Sequence, residues 1–79
     1  MERSNEGLER EIRNIRQDVE RLRDEVRVRI HLGAMDAREA FANIEHEMRH
    51  LGSEITHATR LRLDEARKQL QKLRAGFGA

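Results

Sequence analysis

The sequence predicts an all-α protein, an antiparallel hairpin of two long helices that self-associates into a four-helix bundle or coiled coil. Three observations predict it. Apolar residues recur in steps of four and three along both halves of the chain. Charged residues make up 39% of the 79 residues beside 37% hydrophobic ones, and the only aromatics are Phe41 and Phe77, a balance close to that of coiled coils. Proline and cysteine are both absent, so no ring interrupts a helix and no disulfide or thiolate zinc can reinforce so small a core.

The first helix is expected over residues 4–32. Leu8, Ile12, Ile15, Val19, Leu22 and Val26 fall on one narrow stripe. Glu6 and Arg10, Glu9 and Arg13, and Glu25 and Arg29 are each four apart, in the orientation that supports an exposed helical face by a few tenths of a kcal/mol per pair. Residues 26–32 alternate apolar and polar as a strand would, but no partner strand exists elsewhere and Val26 and Ile30 continue the helical stripe. In a helix, Val28 and Leu32 then point away from that stripe and form a second apolar surface near the turn.

Without proline, the break between the stripes is expected at Gly33, which suits a helix C-terminus. The turn then covers residues 33–35. Asp36 with Glu39 fits a capping box for the next helix, and Met35 could staple against Ala40. The competing arrangement is one continuous helix in a coiled coil, about 105 Å long, which tolerates Gly33 at a cost of about 1 kcal/mol.

The second helix is expected over 36–75, followed by a frayed tail at 76–79, so that residues 1–79 form one domain. Its stripe runs through Ala37, Phe41, Ile44, Met48, Leu51 and Ile55, then more loosely through Thr59, Leu63, Ala66, Leu70, Leu73 and Phe77. The successive fours from Ile55 to Leu63 resemble a stutter within a continuing helix. Folding about residues 34 and 35 pairs Val26 with Ile44, Leu22 with Met48, Val19 with Leu51, Ile15 with Ile55, and Ile12 with Ala58 or Thr59. Leu63, Ala66, Leu70 and Leu73 overhang the first helix, and that overhang calls for another chain.

Net charge is +1, which gives no long-range attraction to nucleic acid or anionic lipid. The charge is uneven: residues 61–79 hold five bases against two acids, and residues 33–60 hold three bases against five acids. Arg67, Lys68, Lys72 and Arg74 form the basic stretch that a nucleic-acid-binding dimer would use, but no aromatics interleave it, and bases near a helix end also complement the helix dipole. No apolar run approaches the roughly 20 residues of a membrane span, and no signal-peptide segment opens the sequence. The cytoplasm is the expected location.

His46-Glu47-Met48-Arg49-His50 matches H-E-x-x-H, in which two histidines one turn apart bind zinc and the glutamate serves as general base. Catalytic zinc needs a third protein ligand and a cleft, whereas Gly52 and His57 each lie one residue away from the extended pattern. On a helical wheel His46, His50 and His57 fall within about 40° of one another, opposite the apolar stripe. These three are the candidate metal ligands; the chain is expected to be no enzyme and to carry no cofactor. Arg62, close to the stripe, suits either a snorkelling side chain or a register-setting residue at an association seam.

Residues 28–41, Val-Arg-Ile-His-Leu-Gly-Ala-Met-Asp-Ala-Arg-Glu-Ala-Phe, resemble a segment of small, functionally uncharacterised bacterial helical-hairpin proteins. The resemblance covers under a fifth of the chain, implies a hairpin turning near Gly33, and carries no activity or functional residue. The expected role is a structural or regulatory interaction module, a homo-oligomer whose simplest form is a dimer, with another helical protein as a further partner. Assembly would rest on Leu8, Ile12, Ile15, Val19, Leu22, Val26, Phe41, Ile44, Met48, Leu51, Ile55, Leu63, Leu70 and Leu73.

Overall fold

The computed structural model describes residues 2–52 and 54–77. The described residues are helical apart from two short connections, as the heptad pattern predicts, but they form three helices instead of two. Helix α1 spans Glu2–His31, a 3-10 turn spans Met35–Ala37 and leads directly into α2 at Arg38–Arg49, and α3 spans His57–Phe77. Thirty residues at about 1.5 Å each give α1 a length of about 45 Å, and α1 therefore sets the 48 Å long axis of the molecule.

Gly33 ends α1 as expected. At φ +125 it turns the chain, while the Gly33 amide donates to the Ile30 carbonyl at 3.1 Å and the Ala34 amide to the Arg29 carbonyl at 3.1 Å, closing carbonyls the helix leaves open. The expected capping box does not form. Asp36 lies inside the 3-10 turn, and neither that turn nor α2 is capped by a side chain. Met35 and Ala40, the expected staple pair, are both exposed and neither belongs to the core.

The larger departure is a second break where one long helix was expected. After α2, the amides of His50 and Leu51 close back three residues onto Glu47 and Met48, and Gly52 takes φ +66, a left-handed conformation that glycine adopts without penalty. Thr56 then starts α3. Its hydroxyl oxygen accepts the Thr59 amide at 3.0 Å and donates to the Thr59 hydroxyl at 3.0 Å, which satisfies an otherwise open donor of the first turn. Thr56→Ala is expected to destabilise the protein by about 0.5–2 kcal/mol, read as a lower urea midpoint with an unchanged slope.

The direction of each helix follows from its long-range contacts. Arg27 pairs with Glu45 at 2.7 Å, and Arg16 donates to the Gly52 carbonyl at 2.7 Å, so α2 runs antiparallel to α1. Arg67 meets Asp18 at 3.4 Å and Arg74 meets Glu25 at 3.2 Å. Both pairs are 49 residues apart, which places α3 parallel to α1 and in register over two turns. Glu25 therefore faces α3 and not Arg29, whereas the expected Glu9 with Arg13 pair does form along α1, as does Asp64 with Lys68, four apart on α3.

The core lies between the three helices of a single chain. Ile12, Ile15, Val19, Leu22 and Val26 of α1 are buried with Phe41 and Ile44 of α2 and Leu63, Ala66 and Leu70 of α3, while Leu8, Met48, Leu51 and Leu73 pack at its margin. The overhang expected to seek another chain is thus folded back onto α1, with Leu63 and Leu70 at 0% exposure. Ile55 is the core residue that fails. It lies in the α2–α3 connection, 41% exposed, because the chain has left the helix before it could face Ile15. Thr59 is buried instead, its hydroxyl held by Thr56.

Candidate functional site

Two surfaces carry residues that the core does not use. The first is the end of the molecule where α1 stops. Val28 lies on the outer side of α1, Leu32 follows directly after the helix ends, and Met35 comes just beyond the turn at Gly33. They are 56%, 76% and 56% exposed, which makes this stretch the main exposed apolar feature among the described residues. Beside it a groove of about 580 Å³ runs between the end of α1, the 3-10 turn and α3. Leu32, Ala34, Ala37 and Leu73 give it an apolar floor, and Arg29, Lys72 and Asp36 supply both signs of charge.

The second surface lies between α2 and α3. The helical wheel places His46 and His50 away from the core, and both are exposed. What the wheel could not supply is a wall: α3 folds beside α2, and Arg62, Glu65 and Ala66 line a groove of about 400 Å³ with His46, Glu47 and His50. Arg62, close to the stripe in sequence, is exposed and belongs to this groove. The two imidazole rings meet edge to face with centres 4.6 Å apart. His57 begins α3, and the groove is formed without it. Among the described residues no group of three or more His, Cys, Asp or Glu is placed to hold one metal ion, so the two histidines lack the third protein ligand that a catalytic zinc requires.

The basic stretch of α3 is largely engaged within the chain. Arg67 bridges Asp18 of α1 and Asp64 of its own helix, Lys68 meets Asp64 at 3.4 Å, and Arg74 meets Glu25. Partial burial alone would push the Asp64 carboxyl up. The hydrogen bonds and charges of Arg67 and Lys68 outweigh that, holding it below the ordinary carboxylate range. Of the four bases, Lys72 instead lines the apolar groove. Arg67 and Arg74 thus join α3 to α1, and Lys68 pairs within α3.

Sequence reasoning found Val28 and Leu32 but missed the grooves, since each needs α3 to return along α1. No described helix is long and apolar enough to cross a membrane. No protein-family model matches the chain, and no curated protein or solved structure is significantly similar to it.

Proposed function

We propose that this chain is a non-enzymatic, cytoplasmic helical interaction module that forms a homodimer through its apolar tip. The observation that carries this reading is the exposure of Val28, Leu32 and Met35 at the end of a molecule whose described stripe residues, Ile55 excepted, are buried or half-buried among its own helices. Large apolar side chains grouped at one place on an otherwise charged surface mark a contact site. A twofold interface needs a patch complementary to itself. The groove beside Leu32 supports such a patch, because it carries both signs of charge, Asp36 with Arg29 and Lys72, around an apolar floor.

Three side chains cannot fill the roughly 800 Å² per partner of a stable complex. The dimer is therefore of the weak, reversible kind, with a dissociation constant on the order of micromolar. Assembly is thus assigned to the tip, and the heptad stripe is assigned to the fold of each copy. Sedimentation equilibrium over a wide concentration range is expected to show monomer and dimer exchanging. Leu32→Asp is expected to give a monomer with unchanged helical circular dichroism, since this side chain is 76% exposed and lies outside the core. A wild-type chain that stays monomeric into the millimolar range would contradict the proposal.

A further inference from the structure

The groove between α2 and α3 holds a feature the proposed dimer does not use. His46 and His50 lie on the same side of α2, one turn apart, with ring centres separated by 4.6 Å and planes inclined by 72°. A ring nitrogen bound to a first-row divalent ion lies about 2.0–2.1 Å from it, which puts the ion about 3.2 Å from the ring centre. Two rings on one ion can have centres up to about 6.4 Å apart, so a separation of 4.6 Å leaves both imidazoles within reach of a shared ion once their nitrogens turn toward it.

The surroundings favour a cation. His46 and Arg49 lie in the last turn of α2, with His50 as its C-cap, and the carbonyl end of a helix carries negative partial charge. The charged residues lining the groove are Glu47 of α2 and Glu65 and Arg62 of α3, two acids against one base. Both imidazoles are exposed, so neither has to leave a buried partner to bind.

We propose that His46 and His50 form a two-imidazole site for a divalent transition ion, with Cu²⁺ preferred over Ni²⁺ and Zn²⁺. With no third protein donor in reach among the described residues, water completes the coordination. The site is a binding site, distinct from the apolar tip.

Calorimetric titration of the full chain with Cu²⁺ near neutral pH tests this, together with the electron paramagnetic resonance of the bound ion. One ion per chain is expected, with the hyperfine pattern of two nitrogens. His46→Ala or His50→Ala is expected to weaken binding about tenfold or more, because the second ligand no longer acts within the same molecule. Each is expected also to reduce the spectrum to one nitrogen. Both variants should fold, since His46 is exposed on α2 and His50 is its exposed C-cap, and unchanged circular dichroism verifies this. His31→Ala and His57→Ala are expected to bind as the wild type does. Binding by the double variant His46→Ala, His50→Ala that equals wild type would overturn the site, as would a loss at His57→Ala equal to that at His50→Ala.

Discussion

Leu70→Asp is expected to abolish the cooperative fold of the isolated chain. Leu70 has 0% exposure in α3 and packs into the core shared with α1. An unpaired carboxylate there costs several kcal/mol, against a total stability of about 4–12 kcal/mol for a chain of this size. The effect separates two architectures. In a two-helix hairpin, residue 70 overhangs the first helix and is covered only by another chain, so the substitution would weaken assembly and leave the dilute monomer helical. With α3 folded back on α1, helicity itself is lost at every concentration. Far-ultraviolet circular dichroism and thermal melting at two widely separated concentrations decide the matter. Leu61→Asp is the matched control on the same helix. Leu61 is 58% exposed, and a surface change of this kind shifts stability by no more than about 0.5 kcal/mol. A helical, cooperatively melting Leu70→Asp monomer would remove α3 from the core.

The contrast between those two leucines shows what the sequence reveals and where it stops. The α1 stripe was fully legible because six apolar residues hold strict four-and-three spacing and no competing partner exists for them. The turn at Gly33 was legible for a related reason, being the point at which the stripe loses phase beside a residue suited to reversing a helix. The second break was masked. Ile55, Thr59 and Leu63 keep a helix-compatible spacing of four, so the stripe continues numerically through a segment where the backbone is not helical. The signals that would have marked it are local: Gly52 adopts a positive φ, and Thr56 caps the next helix through Thr59. Both residue types are common inside and outside helices, and periodicity outweighed them.

Once that turn is missed, the rest of the topology follows wrongly. Leu63, Ala66 and Leu70 seem to need another molecule, and the basic residues beside them seem free to meet one. A second reversal satisfies both demands within the chain. The leucines close the core, and Arg67 and Arg74 reach Asp18 and Glu25 at the same sequence separation. The groove at His46 and His50 shows the same dependence. A helical wheel places both rings on the outer side of α2 correctly, but only the return of α3 supplies Arg62 and Glu65 opposite them. Residue patterns along one helix were thus readable, whereas features made by two helices awaited the correct number of turns.

Gly33→Ala is expected to destabilise the protein by about 1–3 kcal/mol, the range for a residue held in a sparsely populated backbone region. The cause is conformational and not steric crowding. A Cβ built at Gly33 meets nothing within 4 Å, yet φ there is +125, which side-chain-bearing residues rarely adopt. The same φ sets the amides of Gly33 and Ala34 against the carbonyls of Ile30 and Arg29, so relaxing the strain would open the end of α1 and displace the 3-10 turn that follows. For a chain of this length the expected fall in melting temperature is on the order of 10 °C. Gly7 supplies the comparison, because it lies within α1, has equally open space around a built Cβ, and shows no positive φ. Gly7→Ala is therefore expected to stabilise by about 0.5–1 kcal/mol, through the higher helix propensity of alanine. Opposite signs for the same chemical change at two uncrowded glycines would locate the constraint in the backbone at Gly33. A Gly33→Ala protein as stable as wild type would mean that α1 runs on through residue 33, which is the single-rod arrangement.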